Sequence, residues 1–170
     1  AKNIKLENFI QTLNPKNSKS KVKAYIFPNE PDGHLYELIN ILLKHGVKIH
    51  QAEDSFQVKN VTSYQRKNIT NKTFTKGTFI VSTDQARHLF INSILSPNMA
   101  IEDSVMYDMS TWAAPLAYNL NAFYTSNSLP INGLKNGFKT TEVKSMPVTA
   151  KGVTIPNANY AYTIEWKQTN

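Results

Sequence analysis

The sequence predicts a three-layer α/β fold, a mainly parallel sheet flanked by helices, with β structure added at its C-terminal end. Three observations carry this expectation. Residues 23–28 (KAYIFP), 47–52 (VKIHQA) and 78–82 (TFIVS) are short apolar runs that read as strands. Between the first two, Leu35, Leu38, Ile39, Leu42 and Leu43 recur at helical spacing. A strand–helix–strand unit of this kind predicts parallel strands joined by a right-handed crossover. Finally, Tyr160, Tyr162, Ile164 and Trp166 alternate with Ala161, Thr163, Glu165 and Lys167, the period-two pattern of a strand with one buried face.

Each element has its own local reason. Leu6, Phe9, Ile10 and Leu13 give an amphipathic helix over 4–13, and Pro15 discourages its continuation. The polar stretch NPKNSKSK then reads as a linker, so residues 1–21 form a helix and linker and 22–170 the α/β domain. Asp32 is placed to cap the second helix, and Gly46 to close it in the left-handed conformation. Residues 56–74 are polar with widely spaced apolar positions, one or two weak strands. Asp84 is placed to cap a third helix, with Ala86, Leu89, Phe90, Ser93 and Ile94 on one face and Pro97 at its end. Ser110 is placed to cap a short helix running to Asn119, with Pro115 tolerated near its first turn. A strand is expected over 122–125, a loop over 126–137, and β structure from Phe138 onward. The first residue is not Met, and the aromatic strand lies four residues from the last. Both features lead us to expect a piece of a longer polypeptide, truncated at its C-terminal end.

Composition limits the chemistry. The 170-residue chain suits one domain or a little more. It contains no cysteine, which excludes disulfides, thiolate zinc sites and a cysteine nucleophile. No apolar run approaches the roughly 18 residues that cross a bilayer, so no membrane span is expected. The net charge is +7, but the sequence does not place the basic groups on one face. Arg occurs only at 66 and 87, and no nucleic-acid-binding motif is present, so no nucleic-acid partner is expected. The six glycines never cluster into a phosphate-cradling loop.

Several ordered segments resemble the region that follows the peptidase domain in a branch of bacterial zinc carboxypeptidases. They are AYIFP, LINILLKHGVKIHQA, GTFIVSTDQARHLFINSIL, VMYDMSTWAAPLAYNL and YAYTIEW. The most specific is YDMSTWAAPLAYNL. The resemblance implies a flavodoxin-like or class I glutamine amidotransferase-like unit in a metallocarboxypeptidase-like parent that is periplasmic or secreted. It places the zinc and its ligands in the upstream peptidase domain, so no cofactor is expected here. It also implies partners: neighbouring domains of the same polypeptide and peptide substrate.

Candidate chemistry within the chain is thin. His34 and Glu37 spell H-x-x-E, a carboxypeptidase pair of zinc ligands, but a site needs a third ligand. His45 lies three turns along the same helix, and His50 and His88 converge only if the fold returns them. Two polar residues in an exposed first turn is the simpler reading. Ser82, between strand and helix, is the best-placed hydroxyl, yet no G-x-S-x-G elbow surrounds it. The carboxylate pairs Glu53 with Asp54 and Glu102 with Asp103 read as solvated loops. Asn60, Asn68 and Asn71 begin glycosylation acceptor patterns at a frequency chance provides. Trp112, Tyr118, Phe123 and Tyr124 read as core or interdomain packing. We therefore expect no catalytic and no metal-ligating residues. The candidate binding or interdomain surface comprises Asp84, Asp108, Ser110, Trp112 and Trp166. The functional expectation is a non-catalytic accessory domain that packs against its neighbours or aids peptide binding. The alternative is an independent module for carbohydrate or a small metabolite, held in a crevice at the strand ends.

Overall fold

The computed structural model describes residues 2–17, 20–30, 33–65, 67–97, 113–131 and 137–146. Among these, helix α1 (Lys2–Leu13) and a short 3-10 turn (Pro15–Asn17) precede strand β1 (Ala24–Phe27) and helix α2 (Gly33–Lys44). Strands β2 (Ile49–Ala52), β3 (Phe56–Ser63), β4 (Asn68–Phe74) and β5 (Phe79–Ser82) follow. Helices α3 (His88–Leu95) and α4 (Ala114–Ala117) lead to β6 (Phe123–Thr125) and β7 (Thr140–Val143).

The strand pairing overturns the parallel, flavodoxin-like expectation. One seven-stranded sheet runs in the order β4-β3-β6-β1-β5-β2-β7. Every neighbouring pair in it is antiparallel. The predicted strand–helix–strand unit does exist, and β1 and β2 point the same way. They are not neighbours, because β5 lies between them and runs antiparallel to both. Taken without the β3–β4 hairpin, the order β6-β1-β5-β2 is that of a split β-α-β unit of ferredoxin-like topology.

The layers differ from the expectation too. Helices α2 and α3 share one core with one face of the sheet, where Tyr25, Phe27, Ile49, Phe79 and Val81 meet Leu35, Leu38, Ile39, Leu42, Ile91 and Leu95. Among the described residues the opposite face carries no helix. There Ala24, Ile26, Ala52, Ile80 and Phe123 pack against Phe56, Val58 and Phe74 of the hairpin. Phe138 stacks on Phe56 with ring centroids 3.9 Å apart.

The hairpin reaches that face by a forced route. Ala52 and Phe56 are four residues apart, a reach of at most about 14 Å. Three strands separate β2 from β3 in the sheet, which is about 19 Å at the usual strand spacing. β3 therefore starts beneath the sheet near β2 and crosses to pair with β6. Its alternation breaks on the way: Phe56 and Val58 point inward, then Val61 and Ser63. Asn60, at the break, has φ +53°. The Thr125 hydroxyl donates to its carbonyl (3.1 Å), and the Asn127 amide donates to the Lys59 carbonyl (2.9 Å).

Two helices end as Schellman motifs. The amides of Gly46 and Val47 donate to the carbonyls of Leu43 and Leu42, with Gly46 at φ +73° as the sequence predicts. Asn119 at φ +51° plays the same part after α4, where the Leu120 amide reaches the Pro115 carbonyl.

Asn tolerates the left-handed conformation at the hairpin corner, whereas a β-branched residue there is strained. Asn60→Val should lower stability by about 1–3 kcal/mol, and Asn60→Gly by less. Urea unfolding midpoints check this, and equal losses would show that the corner imposes no backbone constraint.

Candidate functional site

Helix α3 is the centre of the candidate site. Its sequence, HLFINSIL, is apolar nearly all round, a pattern that normally requires burial on every side. Only one stripe is buried, formed by His88, Ile91 and Leu95. This reverses the expected face, since Leu89 and Ser93 point to solvent. Both stripes satisfy helical spacing, and Phe90 and Ile94 of the expected one remain partly buried against the same core.

Four polar side chains pin the helix. The Tyr25 hydroxyl donates to Asn92 Oδ1 at 2.8 Å, and Ser20 Oγ donates to the same oxygen at 3.2 Å. The Tyr64 hydroxyl donates to the Leu95 carbonyl. His88 Nε2 lies 2.9 Å from the Thr12 carbonyl, and only a protonated Nε2 can donate there. That contact joins the end of α1 to the start of α3.

The result is a helical side with apolar side chains left in water. Leu6 and Ile10 of α1 are 58% and 57% exposed, Leu89 of α3 is 55% exposed, and Leu116 of α4 is 48% exposed. Leu6 and Ile10 stand one turn apart, and α4 touches α3. These are the exposed large hydrophobic residues among those described, and all four are helical. Sequence reasoning placed Leu6, Ile10 and Leu89 on packed faces.

Of the residues expected to form a binding or interdomain surface, Asp84 lies among those described. Asp84 is exposed and does not cap α3, whose N-cap position is Arg87 without a side-chain cap. Instead the Asp84 amide donates to Ser82 Oγ at 3.0 Å, a local turn. The organising side chain of this loop is Gln85. Its amide brackets the backbone of Lys48, accepting from the N–H at 2.8 Å and donating to the carbonyl at 3.0 Å. Asp108, Ser110, Trp112 and Trp166 lie outside the described residues, as does the strand expected over 160–166. The crevice proposed for a carbohydrate or metabolite depended on a parallel sheet with a topological switch point. The pairing observed here is antiparallel, so the sheet has no parallel switch point of that kind among the described residues.

The four histidines occupy four separate places. His34 packs its ring on Tyr118 (5.6 Å) and His45 on Phe90 (4.6 Å). His50 faces Thr140 of the neighbouring strand, and burial lowers its pKa. His88 holds α1. Among the described residues no group of three His, Asp or Glu side chains could hold a metal ion, and no helix is long and apolar enough to cross a membrane. Glu37 is exposed, while Glu53 accepts from the Thr141 hydroxyl. Phe123 is buried core and Tyr124 packs edge-on against Tyr64.

Comparison with family models, curated proteins and solved structures gives no match for this chain. What the helices present to solvent among the described residues is the exposed apolar side chains of Leu6, Ile10, Leu89 and Leu116.

Burial pushes the hydroxyls of Tyr25 and Tyr64 well above the ordinary phenol value near 10. In the unfolded chain both ionise from about pH 10 upward, while the folded protein keeps its protons. Their stabilisation is complete below that pH and is lost as the pH rises toward the folded values. The slope should reach about 1.4 kcal/mol per pH unit for each group. Tyr64→Phe should cost about 1 kcal/mol at neutral pH and reduce the alkaline slope. Denaturant unfolding across an alkaline pH series measures both.

Proposed function

We propose that this chain is a non-catalytic accessory domain of a zinc carboxypeptidase-like, exported polypeptide, and that its helical side packs against a neighbouring domain. One observation supports the reading above the others: Leu6, Ile10, Leu89 and Leu116 are left about half exposed on α1, α3 and α4. Completing the burial of four such side chains is worth on the order of 3–6 kcal/mol. Free association would cancel most of that gain, but a domain on the same chain has already lost much of its independent motion. The magnitude therefore favours a tethered neighbour over a diffusing partner. The resemblance of YDMSTWAAPLAYNL supports the reading of the parent as an exported zinc carboxypeptidase-like protein whose zinc would lie in its peptidase domain.

Two measurements test the proposal. The chain alone, with and without zinc, should release no C-terminal residue from peptides, and zinc-dependent release would overturn the non-catalytic reading. The triple variant Leu6→Ser, Ile10→Ser, Leu89→Ser should change the stability of the isolated chain by about 0.5 kcal/mol or less per site. In the full polypeptide the same variant should uncouple the unfolding of this domain from that of its neighbour. An unchanged full-length unfolding profile would show that the helical side is not the contact.

A further inference from the structure

The other side of the molecule has a different character. Between Asp54 and Asp84 the chain carries Lys59, Arg66, Lys67, Lys72 and Lys76 and no acidic residue. This stretch contains the β3–β4 hairpin, so much of the excess positive charge sits on one structural unit. Lys59, Lys67 and Lys76 are exposed. Lys72 is half-buried, its ammonium 4.5 Å from the Phe123 ring centroid and 5.6 Å from that of Phe74.

β4 is an outermost strand of the sheet, and among the described residues it pairs only with β3. It is seven residues long and contains no proline. The opposite edge, β7, has four residues. Proteins usually blunt a free edge by shortening it, kinking it, inserting proline or adding lysine. β4 shows only the last device. Lysine blocks a second copy of the same cationic edge through like-charge repulsion, but it attracts an acidic strand. Along the strand, Asn68, Thr70, Asn71 and Thr73 are exposed and short, which leaves the backbone accessible, and Ile69 is half-exposed.

We propose that the β4 edge binds an acidic peptide in extended conformation as an added antiparallel or parallel strand. Main-chain hydrogen bonds supply the register, and the exposed Lys59, Lys67 and Lys76 supply the charge selection. The partner is a peptide rather than a sulfated polysaccharide or nucleic acid. What β4 presents beyond charge is a row of amides and carbonyls at strand spacing, which only a polypeptide matches. This inference goes beyond the accessory reading and does not depend on it.

The test uses the chain with a fluorescein-labelled peptide of alternating glutamate and threonine, followed by anisotropy. Binding should weaken as salt is raised, because exposed charges are screened. The variant Lys59→Glu, Lys67→Glu, Lys76→Glu should weaken it about tenfold or more. A second probe keeps every charge but carries N-methyl groups on alternate amides. N-methylation of one alternate set should abolish binding and N-methylation of the other should spare it, since a strand donates from every second residue. This arm needs no protein variant and survives if charge reversal impairs folding. Three results would overturn the proposal: no salt-dependent binding of the peptide, equal binding of all the N-methylated forms, or equal or tighter binding of heparin or a single-stranded oligonucleotide of matched charge. The isolated chain is the reagent throughout, so none of these results bears on the helical contact.

Discussion

Strand β1 must be covered on both sides, and the rest of the architecture follows from that constraint. All four of its side chains are fully buried. Tyr25 and Phe27 face the helices, while Ala24 and Ile26 face away from them. A solvated second face would leave Ile26, Ile80 and Phe123 in water, at about 1.5–3 kcal/mol for each large side chain. The two helices cover only the first face. The second is covered by the hairpin, and this explains why β3 must leave β2, pass beneath the sheet and turn a corner at Asn60. A left-handed residue, the Thr125 and Asn127 stitches and the Phe56–Phe138 stack all serve that cover.

The same constraint explains which parts of the fold were legible. Antiparallel sheets commonly leave one face wet and so alternate, whereas parallel sheets are buried on both faces and read as continuous apolar runs. AYIF and FIVS are continuous runs, and the helix between the first two strands was what led to a parallel reading. The runs do report two-sided burial. They do not report what does the burying, and here it is a hairpin whose own strands look weak because half of each faces solvent. Local chemistry was more readable. Gly46 closes α2 as predicted, because a Schellman motif is written within six residues. The order β6-β1-β5-β2 was not readable, because insertion of β5 between β1 and β2 leaves no trace in either strand.

The loop after β5 shows where site reasoning failed. Asp84 precedes an apolar helical pattern, and an acidic residue there is the usual cap. The helix starts four residues later, and the useful side chain is Gln85. It copies a strand partner by bonding both backbone groups of Lys48. Nothing in the local sequence marks that role, since the groups it satisfies lie at the start of β2. Helix α3 was ambiguous for another reason: it has two apolar stripes, and a single sequence cannot say which one meets the sheet.

The two outer surfaces are consequences of how the two faces of β1 are covered. Helices spend one stripe on the sheet; on α3 Phe90 and Ile94 are partly buried against the same core and Leu89 is left to solvent. The hairpin spends its inner side on Ile26, Ile80 and Phe123, and its cations are displaced to the outer side and to the edge. Lys72 shows the limit of this displacement: it is on the inner side at the rim, where the faces of Phe74 and Phe123 stabilise its charge by cation–π attraction. The apolar and the cationic surfaces therefore stand on opposite sides of one sheet. A partner held by the helices leaves the β4 edge open, and a strand added at β4 leaves the helices free. Side chains of β1, β5 and β6 enter both cores, so the two faces are joined through the middle of the sheet.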